Sequence, residues 1–100
     1  MELATLDTKS AVLDVALNLG RIGRFIVRSP QAAAPFLVEN RAYFQELDRR
    51  ELPAAFLPTY RAARRAALSL EDLPADEAAD GAFTWAALLE RRARWCDQFD

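Results

Sequence analysis

Five prolines divide a chain in which apolar residues otherwise recur every three or four positions: Pro30, Pro35, Pro53, Pro58 and Pro74. Proline has no backbone N–H and fixes φ, so it begins helices or interrupts them. Apolar residues at three- and four-residue spacing form one face of a helix. The pattern therefore predicts an all-α fold, a compact antiparallel bundle of about four helices.

The first helix is predicted from about Asp7 or Thr8 to Arg28. One face is apolar and is formed by Val12, Val15, Ala16, Leu19, Ile22, Gly23, Ile26 and Val27. The opposite face is polar and is formed by Asp14, Asn18, Arg21, Arg24 and Arg28. Residues 24–28, rich in β-branched and aromatic side chains, leave a short strand open as an alternative.

The prolines position the next two helices. Ser29 and Pro30 resemble an N-cap followed by the first helical position. Pro35 lies too deep for an unbroken helix from Pro30, so residues 30–34 are predicted as a single turn and 35–50 as the second helix. Its apolar side is formed by Phe36, Leu37, Tyr43, Phe44 and Leu47, with Glu46 and Arg50 paired outside. The third helix is predicted at 58–70, with Phe56, Tyr60, Ala63, Ala67 and Leu70 aligned.

The last third of the chain is predicted as an acidic connection over residues 71–82, broken at Gly81, and a fourth helix over 83–99. The apolar arc of this helix is formed by Trp85, Leu88, Leu89, Ala93, Trp95, Cys96 and Phe99. We expect residues 1–100 to form a single helical domain.

The amino-acid composition excludes several types of catalytic and metal-binding site. The chain has no His and one Cys, which excludes Ser-His and Cys-His catalysis, an internal disulfide and most zinc sites. We therefore expect no catalytic residues, no cofactor and no metal. A net charge of −2 argues against a dedicated nucleic-acid binder. Charges interrupt the most apolar span, so no transmembrane segment is predicted, and we expect a cytoplasmic, bacterial protein.

Residues 20–24, Gly-Arg-Ile-Gly-Arg, are similar to the glycine-rich turn of glyceraldehyde-3-phosphate dehydrogenases. A dinucleotide-binding fingerprint, G-x-G-x-x-G, lies between a strand and a helix. Here Asn18 stands where the first glycine belongs, and the preceding residues have helical periodicity. We therefore interpret Gly20 and Gly23 as positions where another helix packs closely.

A protein-binding surface is predicted on the first helix at Leu17, Arg21, Arg24, Phe25 and Arg28. These residues place two apolar side chains among three guanidinium groups, a combination suited to an acidic protein partner. The alternative is that the cations are solvated while Phe25 packs beneath residues 32–36. Two other polar residues, Arg92 and Asn40, fall within apolar faces and require a buried partner or an interface.

The sequence thus predicts a small non-enzymatic protein-binding domain: an adaptor, regulator or assembly factor that self-associates, as a homodimer, through the first helix. Two alternatives remain. The Arg clusters at 61–65 and 91–94 would suit a nucleic-acid-binding regulator. The chain would also suit a small subunit of an enzyme complex.

Overall fold

The computed structural model describes residues 2–99, and the predicted all-α fold is confirmed within them. The four helices are α1, Thr8–Phe25; α2, Pro30–Asp48; α3, Leu57–Leu68; and α4, Ala75–Trp95. Two short 3-10 turns, Leu3–Thr5 and Leu70–Asp72, precede α1 and α4. The described residues contain no strand, so the alternative strand at 24–28 is wrong.

The first helix begins as predicted and ends three residues early. The Asp7 carboxylate accepts a hydrogen bond from the Ser10 backbone N–H, 2.9 Å away, and caps α1. This hydrogen bonding to Ser10 lowers the pKa of Asp7. Residues 26–28 form a turn, which takes Val27 off the helical face, so its predicted place in the core is wrong and its side chain is exposed.

The second helix is continuous through Pro35, so the predicted single turn at 30–34 is wrong. Pro35 lies in the second turn, where it removes the one N–H that would bond to the Gln31 carbonyl. Both residues are exposed, so water can satisfy that carbonyl. The Glu46–Arg50 pair forms at 2.8 Å, but both side chains are largely buried rather than outside.

The fourth helix begins at Ala75, eight residues before its predicted start, so the acidic connection predicted at 71–82 is too long. Asp76 and Glu77 occupy the first helical turn, where carboxylates stabilise the exposed N–H groups and the helix dipole. Gly81 is an ordinary helical residue beside Leu70 and not a break.

The core lies around α1, which packs between α2 and α4 with antiparallel neighbours on both sides. Phe36 of α2 lies beside Phe25, and Tyr43 beside Asp14. α3 packs antiparallel on α4, since Thr59 meets Arg92 near one end. The largest fully buried side chains are Val12, Val15, Leu19, Ile22, Phe44, Leu47, Phe56, Leu70 and Leu89.

Candidate protein-binding site

An open groove runs along the outer surface between α1 and α4. It encloses about 440 Å³ and is lined by Ala16, Leu17, Gly20, Arg21, Arg24, Phe83, Ala86, Ala87 and Glu90. Leu17 on one wall is 54% exposed, and Phe83 on the other is 48% exposed. Two large apolar side chains thus face solvent across one depression.

The two glycines of α1 have different surroundings. A Cβ added at Gly23 would lie 3.0 Å from three atoms of the Phe83 ring, so Gly23 allows that ring to rest against the α1 backbone. A Cβ added at Gly20 would meet nothing within 4 Å. The close packing predicted for both positions therefore occurs at Gly23, whereas Gly20 forms the floor of the groove.

The groove continues toward the other end of the two helices. A second depression of about 260 Å³ is lined by Leu13, Asp14, Leu17, Glu90 and Arg94. Arg94 donates a hydrogen bond to Glu90, 3.2 Å away. The two depressions share Leu17 and Glu90. Arg21 and Arg24 make the surface cationic toward the end of α1, whereas Asp14, Glu90 and Arg94 give it mixed charge nearer the start.

The structure divides the predicted partner-binding residues into two groups. Leu17, Arg21 and Arg24 line the groove, whereas Phe25 and Arg28 do not. Phe25 is half-buried and stacks on Phe36, with ring centroids 6.4 Å apart.

The Arg21 guanidinium also lies over the Phe36 ring, 5.3 Å from its centroid, which favours a cation–π contact.

Sequence reasoning missed Phe83, because the fourth helix was predicted to begin there. The carboxylates of Asp76 and Glu77, two and three residues after Pro74, are the signal that indicates the earlier start.

Asn18 was predicted on the polar face of α1, but it is buried. Its Nδ2 donates a hydrogen bond to Asn40 Oδ1 at 3.1 Å, and its Oδ1 accepts one from Arg21. Asn40 is therefore a buried polar residue that contacts α1, as its place in an apolar face required. Asn40 Nδ2 has no hydrogen-bond partner among the described residues.

Arg92 lies at the edge of the apolar arc and not inside it. Its Nη1 donates a hydrogen bond to Thr59, 3.0 Å away, which joins α4 to α3. Trp95, predicted in the apolar arc, is 84% exposed, so that prediction is wrong. α4 ends at Trp95, and Phe99 instead packs against Phe56 with ring centroids 5.0 Å apart.

An open depression of about 580 Å³ lies between the end of α2, the loop that follows it and α3. Tyr60 donates a hydrogen bond to Asp48 at 2.6 Å, and Arg64 forms an ion pair with the same carboxylate at 2.9 Å. Burial, and then the bond to Asp48, raise the pKa of Tyr60. One residue of each Arg cluster, Arg64 and Arg94, is thus paired with a carboxylate.

No protein-family model, curated protein or solved structure matches the chain. Across residues 2–99, none of the helices combines the length and apolarity needed to cross a bilayer.

Proposed function

We propose that this domain acts by binding a protein, and that its ligand is an amphipathic helix that lies in the groove between α1 and α4. The observation that carries the proposal is the exposure of Leu17 and Phe83 on opposite walls, above the open floor at Gly20. An elongated apolar groove between two helices suits a third helix, whose anchor residues are spaced three, four and seven apart.

The charges along the groove define the partner further. Arg24 is exposed at one end of the groove, and Arg21 lies beside it. A guanidinium binds a carboxylate through two parallel hydrogen bonds, so we expect acidic residues at that end of the partner helix. Full burial of a Leu or Phe side chain stabilises by about 1.5–3 kcal/mol, so covering the exposed halves supplies about half of that for each residue.

The experiment compares two aspartate variants as baits. Leu17→Asp introduces a charge into the groove, and Val38→Asp introduces the same charge at an exposed apolar residue of α2, outside the groove. Proteins captured from the native host by the wild type and by Val38→Asp are expected to be lost with Leu17→Asp. Circular dichroism checks that both variants stay helical. An unchanged set of captured proteins with Leu17→Asp contradicts the proposal.

A further inference from the structure

We infer that the helix bound by the groove is α4 of a second copy of this chain, so that α1 and α4 of two copies form a two-fold symmetric four-helix bundle. The inference rests on the proposed function and names its partner. Helical pairs that expose an apolar face commonly cover it in such bundles, and a 100-residue chain gains stability from the added burial.

The outer face of α4 carries charges of both signs, separated along its length. At about 100° per residue, Asp80, Ala87, Arg91 and Arg94 point away from the core, and all four are exposed. Asp76, Glu77 and Asp80 make the first two turns acidic, whereas the last turns carry Arg91 and Arg94. The outer face of α4 is therefore mainly charged, with one acidic end, and it offers Phe83 and Ala87 as exposed apolar residues beside the groove.

The outer face of α1 has the opposite charge order along the bundle. Arg24 lies near its end, at the height of the acidic start of α4, because Gly23 contacts Phe83 in the antiparallel pair. Asp14 lies in its first half, in the same depression as Arg94. At the end of α1, Arg24 therefore lies at the same height along the bundle as the acidic start of α4, and nearer the start of α1, Asp14 lies at the height of Arg94, which is paired with Glu90.

This order of charges selects one orientation. A rotation about a two-fold axis parallel to the helices leaves the height of every residue along that axis unchanged. The same rotation brings α4 of the second copy against α1. Arg24 then meets Asp80 of the second copy, and Asp14 meets its Arg91, with each contact repeated by symmetry. If the incoming helix were reversed, its Arg91 and Arg94 would face Arg24, and like charges repel.

The side-chain sizes fit the same arrangement. Leu17 and Phe83 of both copies meet near the axis, while Gly20, Ala86 and Ala87 leave room for their approach. All neighbouring helices in the resulting bundle run antiparallel, so their dipoles attract one another. The arrangement covers both exposed apolar side chains.

Charge reversal tests the inference. Sedimentation equilibrium is expected to show that wild type is a dimer, while Arg24→Glu and Asp80→Arg each weaken the dimer about tenfold or more, because each variant places like charges together at two related sites. An equal mixture of the two variants is expected to recover wild-type dimerisation, because the carboxylate introduced in one chain would face the guanidinium introduced in the other. The matched control is Arg65→Glu, an exposed α3 position outside the groove, which keeps the wild-type dimer.

Mixing is decisive because Arg24 and Asp80 lie on adjacent helices within one copy as well. Pairing within a chain predicts no recovery in the mixture. Wild type that stays monomeric up to about 1 mM, or a mixture that stays monomeric, overturns the inference. The proposed function stands apart: it survives either result if Leu17→Asp still loses captured proteins, and it fails if that variant changes neither capture nor dimerisation.

Discussion

Asn18 of α1 donates a hydrogen bond from Nδ2 to Oδ1 of Asn40 of α2, 3.1 Å away, with the two residues only 2% and 3% exposed. The pair lies midway along the contact between the two helices. A buried amide that loses its partner is costly, so this bond favours one register of α1 on α2 over shifted alternatives.

Replacement of both amides is expected to cost less than the sum of the single changes. Asn18→Leu leaves both polar atoms of Asn40 without a partner, and we expect a loss of about 1–3 kcal/mol in the free energy of unfolding. Asn40→Leu costs less, since Asn18 Nδ2 keeps a 3.4 Å contact with Glu39. Urea denaturation of the single and double Leu variants measures the coupling free energy between Asn18 and Asn40. Strictly additive losses in the free energy of unfolding would contradict this prediction.

The two glycines of α1 are expected to respond differently to alanine. Gly20→Ala meets no atom within 4 Å and gains helix propensity, so we expect stabilisation by about 0.5–1 kcal/mol. Gly23→Ala must displace the Phe83 ring, which removes most of that gain. Thermal unfolding is expected to separate the variants by a few degrees, since about 1 kcal/mol shifts Tm by about 4–8 °C in a domain this small. Equal gains at both positions would show that Phe83 does not rest on Gly23.

Alkaline pH is expected to destabilise the fold through its two tyrosines. Burial, and then the hydrogen bond to Asp14, raise the pKa of Tyr43 to about 12. An unfolded tyrosine ionises near pH 10, so above that pH the unfolded chain releases a proton that the folded chain retains. Stability is therefore complete below about pH 10 and falls as the pH rises toward 12.

Absorbance at 295 nm follows the ionisation of these tyrosines, and urea unfolding at pH 9 and pH 11 follows the stability. Tyr43→Phe is expected to reduce the loss between the two pH values. If the tyrosines of the folded protein ionise with the same midpoint pH as those of the urea-unfolded chain, this prediction is contradicted.

The two tryptophans are expected to differ in their contribution to stability. Trp95→Ala removes a side chain that is 84% exposed, so we expect a change within about 0.5 kcal/mol. Trp85 is partly buried against the core, and Trp85→Ala is expected to cost about 2 kcal/mol or more. Urea denaturation measures both, and iodide is expected to quench mainly the Trp95 fluorescence. Similar losses for the two variants would disagree with this packing.

Periodicity was sufficient to predict the all-α fold and the buried face of α1, because spacing alone determines which side chains share a side of a helix. It failed at Asn18, which the polar stripe placed in solvent. Whether an amide is buried depends on a partner from another helix, here Asn40, and local sequence does not contain that pairing.

The predicted helix boundaries were wrong where a rule based on local sequence was outweighed by the structural context of the residue. Pro35 does not break α2, because it costs one hydrogen bond near an end where water is available. The acidic residues near 76 look like a linker by composition, yet they stabilise a helix start. The groove could be predicted only in part. Leu17, Arg21 and Arg24 lie on the outer side of α1, which helical periodicity identifies, whereas the role of Phe83 could be predicted only from the correct start of α4.

The central place of α1 has a consequence for biosynthesis. The ribosome makes α1 before the other three helices, yet α1 completes its burial only against α4, which lies about half of the chain away. The apolar face of nascent α1 that packs against α4 therefore stays exposed until α4 has been synthesised. A chaperone that shields hydrophobic segments would be most useful during that interval.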